Sequence, residues 1–117
     1  MKKLEVWQKE ILYATPVYTA DSFFGRFKGW MMRKDLIPGE GLLLKNCPAI
    51  HGCFMRFPID AIYLDGNMNV LGMETLRPWH LGSIIPGTRH VLELADGRSD
   101  SFKKGMHLEF KEWRIHE

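Results

Sequence analysis

Apolar positions in this chain recur in short runs rather than in one sustained period. Leu4, Val6, Ile11, Tyr13, Val17 and Tyr18 alternate loosely near the start, the two-residue period of half-buried strands. They predict one or two strands. Pro16 puts such a strand at a sheet edge or ends it, because proline has no N–H for a ladder bond. Phe23, Phe24, Phe27, Trp30 and Met31 fall instead at i, i+1, i+4, i+7 and i+8, one stripe of a helix. A short α-helix is expected near residues 21–33, capped by Thr19 or Asp21 and closed by Arg33 and Lys34, whose charges suit its C-terminus. Pro38-Gly39-Glu40-Gly41 then turns the chain.

From Gly41 onward the pattern is one of strands. Leu42-Leu43-Leu44 is a continuous apolar run, as in a strand buried on both faces. Ile59 to Leu64 is another, and Met68 to Met73 resumes after Asp65-Gly66-Asn67. That triplet predicts a hairpin, with Gly66 and Asn67 taking positive φ. Residues 42–73 thus read as neighbouring extended segments joined by a tight reversal. Val91-Leu92-Glu93-Leu94 is a further strand stopped by Asp96-Gly97. Phe102 to Gly105 reads as a short turn or a single helical turn. His107 to Lys111 alternates and then slips phase at Trp113 and Ile115, the mark of a bulge. The expected fold is mainly β: a sandwich or barrel, jelly-roll-like, of short antiparallel strands with one short helix. The alternative is an α+β fold in which the helix covers one sheet face.

Composition narrows the classes. At 117 residues the chain has the length of one domain, residues 1–117, and such a chain buries enough surface to fold without a staple. Lys and Arg number 16 against 14 acids, so a nucleic-acid partner held by bulk charge is not expected. No apolar run reaches the ~20 residues of a membrane span, and Leu4 to Glu10 is too polar for a signal-peptide core. The expectation is a cytoplasmic chain, a monomer or small homo-oligomer, with no membrane association and no cofactor.

Three blocks carry a resemblance to a known family. Arg26-Phe27-Lys28-Gly29-Trp30-Met31-Met32-Arg33 looks like an Arg-x-x-Gly-Leu-Met-x-Arg helix end, with Trp30 in place of Leu. The run from Cys47 to Asp65, containing Ile50-His51-Gly52-Cys53-Phe54-Met55-Arg56-Phe57-Pro58-Ile59-Asp60, resembles a family segment reading Ile-His-Thr-Phe-Gly-Met-Arg-Phe-Pro-Ile-Asp. His90-Val91-Leu92-Glu93-Leu94 with Gly97, then Lys103-x-Gly-x-x-Leu108, is the third. Over about residues 10–110 the chain resembles the bacterial and archaeal domain of unknown function 192. The resemblance implies a compact, β-rich, jelly-roll-like fold and no established reaction. Gly52-Cys53-Phe54 departs from Thr-Phe-Gly, so no role is carried over to that hydroxyl.

The central block also holds the candidate chemistry. Arg33, Arg56 and Asp60 are charges set among apolar neighbours, so each pairs or faces a concavity. The bland reading is an Arg–Asp pair fixing a strand crossing. The functional one is an anion or carboxylate pocket with arginine forks, its mouth lined by His51 and Glu93. Cys47, His51 and Met55 have the donor types of a copper site, but the second His such a site takes from an earlier strand is missing, since none precedes His51. Cys53 beside His51 or His80 is a possible nucleophile without a visible orienting group. A Cys47–Cys53 disulfide is disfavoured in a reducing compartment, and Phe57-Pro58 offers a site for a cis bond. Trp79-His80 and the segment around Trp113 read as core-edge packing or a partner surface. The leading expectation is a non-catalytic binding or accessory module for a small ligand or protein partner. A small enzyme using Arg56, Asp60 and His51 is the alternative, and a metal-handling protein using Cys47, His51 and Met55 a second.

Overall fold

The computed structural model describes residues 3–20, 41–47, 58–95 and 97–112. Seven strands make one sheet: β1 Lys3–Gln8, β2 Ile11–Ala20, β3 Gly41–Leu44, β4 Ile59–Leu64, β5 Val70–Leu76, β6 His90–Ala95 and β7 Glu109–Glu112. Their order is β5-β4-β6-β3-β2-β1-β7. The sheet curls until its two edges meet at one end. Asn69 bridges His107, Val70 N–H donates to Met106 O at 2.8 Å and Leu108 N–H to Met68 O at 3.0 Å. Closure of this kind removes exposed strand edges where it occurs. The expected β-rich fold is present as a curled, half-barrel sheet. Among the described residues no helix is long and apolar enough to cross a membrane.

Period-2 alternation sorts side chains into two clusters. Leu4, Val6, Val17, Leu43, Ile62, Leu64, Val70, Leu92, Leu94 and Leu108 pack together with Phe102. Phe110 joins them from β7, so every strand contributes and this is the barrel interior. On the outside of β3, β4, β5 and β6 a second cluster gathers Leu42, Leu44, Cys47, Ile59, Ala61, Tyr63, Leu76 and Val91, with Ile85 laid against it. Strands buried on both faces lose the polar–apolar alternation of half-buried ones. This is why Leu42-Leu43-Leu44 reads as an unbroken apolar run and Ile59–Leu64 as one broken only by Asp60.

Several expectations are corrected. β2 does not end at Pro16 and is not an edge strand; it runs to Ala20 between β1 and β3. Pro16 fits there because the β1–β2 register is interrupted between Leu4↔Val17 and Val6↔Ala14. Pairing with β3 begins only at Val17, so no ladder bond is demanded of it. The β2–β3 pair is parallel, not antiparallel, a pairing that a tight hairpin turn cannot join. The helix expected near residues 21–33 lies outside the described residues, as does the bulge expected beyond Glu112. β3 and β4 are not adjacent either: β6 lies between them, antiparallel to both. The β4–β5 hairpin forms as expected, but positive φ falls on Met68, at 65°, and not on Gly66 or Asn67. Asp65 explains this. Its Oδ1 accepts the amides of Asn67 and Asn69 and its Oδ2 the Asn69 side chain. The turn is thereby wrapped around the carboxylate, and the left-handed residue comes one step later.

Candidate functional site

β4 and β6 are the central pair of the region that holds the nominated residues. Asp60 faces Leu94 across them and Ala61 faces Glu93. Directly paired residues share a face of the sheet. Asp60 therefore points with Ile62 and Leu64 into the barrel, while Glu93 points with Ala61 and Tyr63 to the outer face. The two carboxyls proposed for one mouth lie on opposite sides of the sheet. Arg33, His51 and Arg56 lie outside the described residues, as do Cys53 and Met55.

Asp60 is fully buried, with 0% of its surface exposed. Its Oδ1 accepts the Thr75 hydroxyl at 2.8 Å and its Oδ2 the Ser99 amide at 2.6 Å. Ser99 opens the 3₁₀ turn Ser99–Ser101. The carboxylate thus fastens that turn to the β4–β5 pair, and Arg98, which precedes the turn, donates from its guanidinium to Tyr13 O. A buried carboxylate supplied with two donors is what a structural anchor requires.

Glu93 is in the opposite situation. Only 5% of it is exposed, and among the described residues no hydrogen bond or ion pair reaches its carboxyl. Burial alone pushes its pKa from 4.5 up to about 8, since a desolvated carboxylate is costly without a partner. At neutral pH it is therefore a carboxylic acid, a donor as well as an acceptor. Its cross-strand neighbours are Leu42 on β3 and Ala61 on β4, and beyond Ala61 the row continues to Glu74 on β5. Two strand spacings separate the acids, ~10 Å between backbones.

Glu74 is fully supplied with partners. The Tyr63 hydroxyl donates to its Oε2 at 2.7 Å and the Ser83 amide at 2.8 Å. Burial raises its pKa, but these donors outweigh that and hold it below the usual range. Burial, and then the Glu74 contact, push the Tyr63 hydroxyl upward, so it stays protonated. The outer face thus carries an ionised Glu74, a donating Tyr63 and a protonated Glu93. Tyr63 and Glu74 were not among the nominated residues. The signal was the hairpin register: once the turn occupies residues 65–69, Tyr63 pairs with Gly72 and Ala61 with Glu74.

The remaining nominees fall elsewhere. Cys47 is buried in the outer cluster. His90 is buried, and its Nδ1 accepts the Asn46 amide at 3.0 Å; burial, then Arg89 and Lys45, lower its pKa. Among the described residues no group of three His, Cys, Asp or Glu is placed to hold a metal ion. Trp79 is 65% exposed, so it is not folded over the edge of the core.

These features define a domain built on one curled β-sheet, with a buried acid, Glu93, on its outer face that has no hydrogen-bond partner among the described residues. Residues 5–110 match the family described as Uncharacterized ACR, domain of unknown function 192, and the chain belongs to it. It is 33% identical over 101 residues to a UPF0127 protein of Pyrococcus horikoshii, covering 81% of this chain and 85% of that protein. A UPF0127 protein of Thermococcus sibiricus is 30% identical over 108 residues, covering 86% and 68%. The solved structure of a protein of unknown function from Novosphingobium aromaticivorans superposes with a TM-score of 0.76 at 20% identity, covering 92% of this chain and 83% of that one. That likeness supports the fold alone.

Proposed function

We propose that this chain is a non-catalytic binding module that takes a small carboxylate or similar anion at Glu93. One observation carries the reading: Glu93 is buried without a partner among the described residues, and that burial raises its pKa to about 8. A ligand oxygen accepting its proton gives the acid a partner it lacks among the described residues. The short O–H···O⁻ bond formed is of the strong, charge-assisted kind. Tyr63 and Glu74 form the neighbouring wall, and Arg33, His51 and Arg56 remain nominees for the anion's other contacts. The enzyme alternative is weakened because Asp60, one of its three residues, already anchors Thr75 and Ser99. What favours it is the contrast between Glu93, raised, and Glu74, lowered, a pattern also seen in acid–base pairs.

The test is a thermal-shift and calorimetric titration with acetate, succinate and citrate at pH 6.5 and pH 9. Binding is expected at the lower pH and lost at the higher, since ionised Glu93 repels an anion. Glu93→Gln, which keeps a donor, retains part of the affinity, and Glu93→Leu abolishes it. Binding that strengthens above pH 8, or that survives Glu93→Leu, would overturn the proposal.

A further inference from the structure

A second surface adjoins the outer face, joined to Glu74 through Ser83. The connection from β5 to β6, residues 77–89, presents Trp79, Leu81 and Ile84 at 65%, 81% and 83% exposure. Of the five large apolar side chains exposed among the described residues, three belong to this one loop. The loop is pinned in several places. Ser83 N–H donates to Glu74, His80 N–H to Arg77 O, Thr88 N–H to Ile85 O and Arg89 N–H to Leu64 O. Ile85 packs on the outer cluster and approaches Gly72 so closely that a Cβ there would lie 2.9 Å from its Cδ1. Trp79 holds φ at 66°, a conformation a bulky side chain adopts only when its surroundings impose it. The apolar side chains are thus displayed by a held loop.

Charge narrows what covers them. Residues 77–89 contain Arg77, His80 and Arg89 and no acid, and both arginines are exposed at the ends of the loop. Trp and Arg are the residue types most enriched at the energetic centres of interfaces. Three such apolar side chains present on the order of 400 Å², about half of what one side of a standard stable interface buries. A second copy of this chain fits poorly, because a two-fold contact sets the same basic loop against itself. We infer that the 77–89 loop docks an acidic partner polypeptide, a short segment whose apolar side chains meet Trp79, Leu81 and Ile84 while its carboxylates meet Arg77 and Arg89. The contact is weak and salt-sensitive, as charge-steered contacts of small area are.

The full chain is titrated with synthetic 12-residue peptides in which Leu and Phe alternate with Glu and Asp, with Ser, or with Lys. The acidic peptides are expected to bind in the micromolar range, the others at least about tenfold more weakly. Raising the salt should erase most of the difference. Leu81→Ser and Ile84→Ser, which change only exposed side chains, should each weaken the acidic peptides several-fold. Arg77→Glu with Arg89→Glu should transfer the preference to the Lys peptides. Absence of binding by all three sets overturns the inference, as does equal binding by all three. So does capture by phosphatidylserine vesicles in place of peptides, or a concentration-dependent dimer abolished by the same substitutions. None of these readouts depends on Glu93, which is tested separately by the carboxylate titration.

Discussion

Replacing Glu93 by Gln should change how stability depends on pH. In the folded chain the Glu93 carboxyl ionises at about 8, against 4.5 ordinarily. Between those values the folded state holds a proton that the unfolded state has released. Stability then falls as pH rises, by about 1.4 kcal/mol per unit. The contribution is fully present below 4.5 and gone above 8. Over the whole window the loss has an upper bound of roughly 5 kcal/mol, a large share of the roughly 5–15 kcal/mol typical of a domain. Gln has the same shape and no proton to lose, so the variant should not lose stability in this way. His90 bears on the same window with the opposite sign: its lowered pKa makes stability rise as pH climbs towards its unfolded value of 6.5. It does so equally in both proteins, and the difference between them isolates Glu93. Urea unfolding followed by circular dichroism from pH 4.5 to 9 provides the comparison. The two curves should meet near pH 4.5 and separate by several kcal/mol at pH 9, with Gln the more stable. Parallel curves across the range would refute the assignment of Glu93 as a buried, unpartnered acid.

Other substitutions test the remaining contacts. Asp60→Ala should cost about 2–4 kcal/mol in urea unfolding, because it strands the Thr75 hydroxyl and the Ser99 amide, while leaving carboxylate binding by the folded protein unchanged. Gly41→Ala should cost about 1–3 kcal/mol, because a Cβ there lies 2.8 Å from Leu94 Cδ2 and 3.2 Å from the Glu93 carbonyl. Lys9→Gly should instead stabilise by about 0.5–1 kcal/mol. Lys9 sits exposed at φ 57° in the two-residue link between Gln8 and Ile11, where glycine is the unstrained residue, and a melting-temperature comparison suffices to check it.

Much of the fold was readable because the strands β3, β4 and β6 are sandwiched between two apolar clusters and so appear as apolar runs, broken only by His90, Asp60 and Glu93. The Asp65 turn was readable because its residue types bind their own backbone, although which residue takes positive φ depends on how many amides Asp65 gathers. Strand order was not readable. The insertion of β6 between β3 and β4 is a long-range pairing, and no local pattern records it. The same gap explains the site. Asp60 and Glu93 were both conspicuous as acids in apolar surroundings, but which face each takes depends on register, and one residue of shift separates the barrel interior from the outer face. Tyr63 and Glu74 carried no motif at all; they meet through the β4–β5 register.

The most direct measurement is a carbon-detected NMR titration of the Glu93 side-chain carboxyl, without ligand and with saturating succinate. A buried acid awaiting an anion should titrate at about 8 when alone and higher still with succinate bound, because the ligand favours the protonated form. A midpoint near 4.5, unmoved by succinate, would mean that Glu93 is solvated or already paired, and that its face of the barrel is not a binding site.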